Sequence, residues 1–344
     1  MFQQASRPEL SAIVSTRSSF DIIRRTVGYL KNQTVLNRIE LVIVCASRTA
    51  LGLDENELSG FWAFQVVEIG LFDAVSICNA AGVRSAKADV VALCEDHCFP
   101  DRDWAINLIA AHKGPYAAVG PVLRNANPLT AVSQADFLIG YGPWAEPIEA
   151  REPQHLPGHN SSYKRDVLLS YDDRLPEMLE VESVMHWDLR AKGHRLYLDP
   201  LVRVAHTNFA KWGIWSKVQF FAGRLFGGMR AHDWPVWKRL FYAVASPLIP
   251  LVRFKRIWAD ARRISSVQRN GIGLILTLWW GLLLDGLGQM IGYLAGPGQT
   301  RVAEHEFERE RYITDEDRQM LEADAFGAKT DQSPCARRGE AAKG

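Results

Sequence analysis

The chain has 344 residues, 47% of them apolar, enough to bury one large core or two of ordinary size. Lysine and arginine nearly balance aspartate and glutamate, and a formal charge of +1 gives no global attraction to nucleic acid, so none is expected as a partner. Five scattered cysteines, with no secretory signal ahead of Ser11, argue against a disulfide framework and fit a reducing cytoplasmic setting.

Leu10 to Val14 is a first apolar strand, followed by the polar turn Ser15-Thr16-Arg17-Ser18-Ser19. Asp21 to Asn32 carries apolar residues at near-helical spacing, and Ile39 to Val44 is a second strand ending at Cys45-Ala46-Ser47-Arg48. Phe64 to Ile69 is a third strand. Asp73 to Ser85 reads as a helix whose small residues Ala80, Ala81 and Gly82 permit close packing on a sheet. Val90 to Leu93, short and β-branched, predicts a buried parallel strand, with Pro100 stopping further pairing. Trp104 to His112 is a helix with Asp103 placed to start it, and Tyr116 to Val122 is another strand. Residues 123–157, rich in Pro, Gly, Asn and aromatics, predict an ordered loop region. Packing of that loop is a better account of Trp144 than stacking on a sugar. Val184 to Lys192 reads as a helix stopped by Gly193, and two short strands follow at Arg195 to Asp199 and Val202 to His206. Strands alternating with helices predict an α/β fold with a mostly parallel sheet.

The chemistry gathers where the central strand ends, at Glu95-Asp96-His97. Ligands bind at the carboxyl edge of open α/β sheets, and charged groups are seldom buried there without a partner. A hard divalent cation holding substrate phosphates is one such partner; a solvated acidic turn is the plain alternative. Cys94, His97 and Cys98 lack a second ligand pair, and Cys94 ends a buried strand, so zinc is not expected.

Read together, Ser-Ala-Ile-Val-Ser-Thr-Arg with Asn32-Gln33-Thr34, then Glu95-Asp96-His97, then the acidic segment before Trp187-Asp188-Leu189-Arg190, resemble glycosyltransferase family 2 over roughly Leu10 to Phe209. The resemblance implies a GT-A fold, an inverting transfer from a nucleotide-sugar donor and a divalent metal, Mg²⁺ or Mn²⁺. It puts Thr16, Arg17, Ser47, Asn79, Glu95, His159 and Asn160 beside the donor, and Asp96, His97 and His206 on the metal. It makes Glu182 the general base, with Glu180 the alternative in a register uncertain by two residues. Glu95-Asp96-His97 stands in place of the family's D-x-D, Cys45-Ala46-Ser47 replaces its usual acidic residue, and Ser183 follows Glu182 where an acid pair is usual. These departures support a second reading, a non-catalytic homologue that binds a sugar nucleotide or scaffolds a membrane assembly.

Beyond Phe209 the character changes, so the expected division is a catalytic domain over 1–209, membrane-associated helices over 210–298 and a polar, partly disordered tail over 299–344, with Glu304 to Arg311 helical. Trp212, Trp215, Phe220 and Phe221 crowd one stretch, Arg253 to Arg269 is strongly basic, and Gly271 to Ala295 is almost wholly apolar. Tryptophans and basic residues suit the cytoplasmic membrane surface and its anionic lipids. Burial against the catalytic domain is the alternative. Gly271 to Ala295 is long enough to cross a bilayer or to lie partly embedded, and in either case Asp285 should face protein or water. The acceptor expected of such an enzyme is a lipid-linked glycan or a growing polysaccharide.

Overall fold

The structure is a computed structural model describing residues 6–264, 271–300 and 312–323. Its centre is one curled sheet of eight strands. In chain order these are β1 (Leu10–Thr16), β2 (Ile39–Cys45), β3 (Ala63–Glu68), β4 (Val90–Cys94), β5 (Cys98–Pro100), β6 (Tyr116–Asn125), β7 (Ser162–Lys164) and β8 (Arg195–His206). Across the sheet the order is β3-β2-β1-β4-β7-β6-β8-β5. The first half, β3-β2-β1-β4, is parallel. β7 is antiparallel to both neighbours, β6 and β8 are parallel, and β5 runs antiparallel along the edge of β8.

The helices of the first half follow from the sequence pattern. α1 (Phe20–Lys31) buries Phe20, Ile23, Val27 and Leu30, and α3 (Val75–Ser85) lies on the opposite face. A Cβ at Gly82 would sit 2.4 Å from Ile13, so α3 can approach β1 this closely only with glycine there. The short α2 (Arg48–Leu51) follows β2, and α4 (Trp104–Ala111) follows β5. Asp103 occupies the position before α4, but its carboxylate accepts from Thr34 Oγ1 at 3.0 Å rather than capping the helix.

Several expectations are corrected. The turn after β4 leads into a further strand, β5, which the sequence did not suggest; its pairing does end at Pro100, opposite Val204, on an edge where the missing N–H costs nothing. The region 123–157 contains a regular helix, α5 (Ala131–Tyr141), capped by Thr130 Oγ1 accepting from Ser133 N. Every residue from Val132 to Leu138 is buried, so α5 shows no polar stripe. The two short strands at 195–206 are one strand, β8, whose pairing with β6 shifts register at Pro121/Val122. Short helices α6 (Arg165–Leu169) and α7 (Leu175–Met178) lead to α8 (Glu182–Ala191), which begins two residues earlier than its apolar pattern and so takes in Glu182.

The chain then forms α9 (Trp212–Arg230), α10 (Val236–Ala245), α11 (Ile249–Arg263), α12 (Ile272–Ala295) and α13 (Asp315–Ala323). α9 and α12 cross at glycines. Cβ atoms added at Gly223 and Gly288 would meet Asp285 O at 2.3 Å and Phe220 O at 2.1 Å. Asp285 faces protein, paired with Arg253 at 2.6 Å and accepting from Gln289 Nε2 at 2.9 Å. Asp136 of α5 ties α9 to the sheet domain: it accepts from Phe209 N at 3.0 Å, Trp215 Nε1 at 3.0 Å and Gln219 Nε2 at 3.2 Å. Trp215, Leu278 and Leu282 share one continuous core with Ile13 and Val44, so packing crosses the expected boundary at 209/210. The helix expected at Glu304 to Arg311 and most of the tail lie outside the described residues.

Candidate active site

A cleft of about 430 Å³ opens at the carboxyl ends of β1 and β4. Its polar side is made by Thr16, Arg17, Asn79, the turn Glu95–His97, His159, and Glu180 with Glu182. Its apolar side includes Val218, Ala222, Leu225 and Phe226 of α9, so the helices after residue 209 complete the site.

The pairing of β5 with β8 sets the geometry. Cys98 lies opposite His206, and Thr207 N donates to His97 O at 3.1 Å, which brings the β4–β5 turn against the end of β8. Thr26 of α1 holds the other side of the turn, its hydroxyl donating to Asp96 O at 2.7 Å and Cys98 O at 3.1 Å. One ligating atom from each of Glu95, His97, Cys98 and His206 then falls within 4.8 Å of the others.

The histidine tautomers follow from their partners. His97 Nδ1 lies 2.5 Å from Asp96 Oδ1, an acceptor, so Nδ1 carries the proton. His206 Nδ1 lies 3.0 Å from Asn208 Oδ1, and Asn208 Nδ2 donates to His206 O and Asn125 Oδ1, fixing that amide's orientation. Both Nε2 atoms, when the rings are neutral, therefore present lone pairs to each other across 3.2 Å. Glu95 adds negative charge, its Oε1 3.7 Å from His97 Nε2 and its Oε2 3.3 Å from His206 Nε2. Two lone pairs and a carboxylate converging without a proton between them repel unless a cation joins them. A second bond from each ring to an orienting acceptor is the usual companion of a metal-ligating histidine. The donor set thus fits a divalent cation. Although burial disfavours charge on Glu95, His97 and His206 beside it, with His159 further off, hold its carboxyl well below the usual range when those rings are protonated, so a positive charge at this point, proton or metal, is what the carboxylate favours. Oε2 also accepts from Asn160 Nδ2 at 2.6 Å.

Across the cleft, Glu182 stands in the first turn of α8, buried, where the helix N-terminus favours a carboxylate. Its Oε1 lies 2.6 Å from His159 Nδ1. Burial opposes charge on His159, but Glu182, with Glu95 and Glu180 further away, raises its pKa to about 10. Gly158 makes room for Glu182, since a Cβ there would come within 2.3 Å of it. Glu180 instead accepts a short hydrogen bond from the buried Ser76 hydroxyl of α3.

Of the residues expected at the site, Thr16, Arg17, Asn79, Glu95, His159, Asp96, His97, Glu180 and Glu182 line the cleft. Asn160 reaches it through Glu95, and His206 through the ligand cluster. Asp96 is outside that cluster and sits behind His97 as the acceptor that orients it. Ser47 is outside the cleft lining; it caps α2, accepting from Ala50 N. Trp144 is buried and donates to His155 O, a packing role. Sequence reasoning set Cys98 aside as a ligand, and it missed Tyr141, whose ring lies 4.2 Å from that of His206, and the α9 wall.

No protein-family profile matches the chain, and no curated protein matches it. Solved structures do. A mannosyltransferase, PcManGT from Pyrobaculum calidifontis, in complex with GDP-Man and Mn²⁺, is 15% identical with a TM-score of 0.50, over 95% of this chain and 89% of that one. GalNAc-T7 with UDP, GalNAc and Mn²⁺ is 16% identical with a TM-score of 0.44, over 59% of this chain and 44% of that one, so less than half of that protein is spanned. The likeness to the mannosyltransferase runs nearly end to end and includes the C-terminal helices. With the strand order above, it gives this chain the GT-A fold.

Proposed function

We propose that the chain is a metal-dependent glycosyltransferase that moves a sugar from a nucleotide-sugar donor to an acceptor hydroxyl with inversion. The observation that carries the reading is the convergence of Glu95, His97 and His206 on one point of a cleft that also contains a buried carboxylate, Glu182. The GT-A fold and its likeness to a mannosyltransferase complex containing GDP-Man and Mn²⁺ support it.

Glu95, His97 and His206 would hold a divalent cation, which when bound would supply positive charge for the leaving diphosphate; Mn²⁺ and Mg²⁺ are the two ions the resemblance implies. Thr16, Arg17 and Asn79 bind the donor from the β1 and α3 side of the cleft. The guanidinium of Arg17 is steadied over the Phe72 ring at 4.9 Å. Asn160 and the pair His159–Glu182 fix the floor beside the sugar. Glu182 takes the proton of the acceptor hydroxyl as it attacks the anomeric carbon, the bond to the diphosphate breaks, and the configuration inverts in that single displacement.

The site belongs to a protein that works at a membrane surface, with the cleft on the cytoplasmic side and a lipid-linked glycan or growing polysaccharide as acceptor. Support comes from the outer face of α10 to α12, where Val236, Trp237, Phe241, Val244, Leu251 and Ile272 are each at least half exposed. Exposed apolar patches of this extent mark an interaction surface. α12 is long and apolar enough to cross a bilayer by length and composition, although half of its most apolar window is buried against the rest of the chain.

Thermal unfolding of the full chain against a panel of nucleotide sugars, with and without Mn²⁺, tests the donor reading. A ligand that binds only the native state raises the transition by mass action. One donor should stabilise the chain in the presence of metal alone. Absence of stabilisation by every nucleotide sugar, with and without metal, would remove the reading. A donor that binds but is never turned over would favour the non-catalytic homologue.

A further inference from the structure

The cation site contains a fourth donor that the proposed function does not use. Cys98 is buried on β5, its Sγ 3.3 Å from Glu95 Oε2 and within 4.8 Å of both histidine Nε2 atoms. Its place is set by the register that puts it opposite His206. We propose that this site selects a borderline transition-metal ion of the cobalt–zinc type over magnesium, using His97 Nε2, His206 Nε2, the Glu95 carboxylate and the sulfur of Cys98. The inference rests on the cation site of the proposed function and is independent of sugar transfer.

Three observations carry it. Imidazole and thiolate are donors for cobalt and zinc, whereas magnesium takes oxygen ligands and keeps several waters. The two Nε2 atoms are 3.2 Å apart. Nitrogens bound at about 2.0–2.1 Å to one ion stand about 2.9–3.3 Å apart, so a single ion can take both, and the whole set, spread to 4.8 Å, draws in by about 1 Å when it closes on the ion. Asp96, the one remaining hard ligand of the turn, faces His97 Nδ1 and orients that ring. On binding, the Cys98 thiol gives its proton to solvent as the sulfur–metal bond forms, and no electron is transferred. Cys94, the neighbouring thiol, is excluded by position. Its sulfur is directed at Ala92 O, 3.9 Å away, and is not among the atoms that converge on the site.

Titration of the full chain with cobalt(II), followed by absorption, tests this without donor or acceptor. The expected spectrum has the intense visible bands of a four-coordinate ion and a near-ultraviolet sulfur-to-cobalt charge-transfer band. C98S should lose the ultraviolet band, keep the visible ones and bind cobalt about 10–100-fold more weakly. C94S should leave the spectrum unchanged, and H206Q should bind at least 100-fold more weakly. A hundredfold excess of Mg²⁺ should displace no cobalt. A wild-type spectrum lacking the sulfur band, a band that survives in C98S, or displacement by Mg²⁺ would each overturn the proposal. If cobalt binds as described while no nucleotide sugar binds, the transferase reading fails and this inference stands. If Mg²⁺ supports tight donor binding and displaces cobalt, the reverse holds.

Discussion

Glu180 and Glu182 stand two residues apart on one wall of the cleft, yet their bonds differ. Glu182 is buried against His159, whereas Glu180 is held by the Ser76 hydroxyl of α3. A general base matters only as the acceptor proton leaves, so its loss should spare donor binding and depress turnover. Glu182→Gln is expected to bind donor and metal nearly as the wild type does and to transfer sugar about two to four orders of magnitude more slowly. Glu180→Gln should be much milder; a dead Glu180→Gln beside an active Glu182→Gln would exchange their roles. Asp96 acts through His97, so Asp96→Ala should weaken metal binding by about 10–100-fold without abolishing it, as calorimetry would record. Three histidines contribute to the pH range of stability with opposite signs. Burial lowers His112 and His186 to about 3, with a smaller contribution from the Lys164 ammonium in the first case and from His155, when protonated, in the second. Below about pH 6.5 the unfolded chain takes up protons that these two native rings refuse, so stability falls with pH, by up to about 1.4 kcal/mol per unit for each ring. His159 has the opposite sign, because its native pKa of about 10 lies above the unfolded value. Its contribution is fully present below about pH 6.5 and is lost as pH rises through 10. Its side chain is 41% exposed, so solvent screens that gain, and the alkaline limb also contains the buried thiols of Cys78 and Cys94, whose native pKa values of about 12 lie above the unfolded value and cost stability above about pH 9. Denaturant titrations across pH should show a maximum near neutrality, and His159→Gln should flatten the alkaline limb.

At the scale of elements, the crossing of α9 and α12 depends on glycine where the backbones touch and not elsewhere. Gly288→Ala forces a Cβ to 2.1 Å from Phe220 O, and Gly223→Ala to 2.3 Å from Asp285 O. Each should destabilise the chain by about 1–3 kcal/mol, the usual cost of overpacking. Gly213→Ala, on the exposed first turn of α9 with nothing within 4 Å of the added carbon, should be neutral or stabilising by up to about 1 kcal/mol. Equal melting temperatures for the three variants would show that the helices do not cross here. The same distinction between local and distant causes explains what the sequence revealed. β1, β2 and β4 are buried on both faces, so they read as apolar runs, and Glu95-Asp96-His97 at the end of β4 was legible as a site because topology alone puts it at the ligand-binding edge. α5 was illegible because burial on all sides erases the helical period that marks an exposed helix. Cys98 looked like a poor ligand because its partner, His206, is more than a hundred residues away, and only the pairing of β5 with β8 joins them. α12 was ambiguous for a different reason: a helix buried by protein and one buried by lipid have the same composition.

Seen as a whole, the molecule has a polar cleft at one sheet edge and an apolar outer face on the helices that close it. α9 belongs to both regions, since it lines the cleft with Val218 and Phe226 and packs along α12. Truncation at 209 would strip a wall from the site, so surface substitutions are the sounder probe of the membrane. The double change Trp237→Glu and Phe241→Glu removes two side chains that are 70% and 64% exposed, so the fold should survive. Partitioning into anionic vesicles should fall at least tenfold; unchanged partitioning with intact melting would mean that α10 does not meet lipid. Sugar transfer breaks the bond to the diphosphate, so release of nucleoside diphosphate reports it without knowledge of the acceptor. Each nucleotide sugar that stabilises the chain should be incubated with wild type and with Glu182→Gln, in manganese or cobalt and again in chelator. The wild type with metal should release diphosphate from one donor, with none above background in chelator and a rate about two to four orders of magnitude lower for Glu182→Gln with acceptor present. Equal release with and without metal, or none from a donor that binds tightly, would contradict metal-dependent sugar transfer.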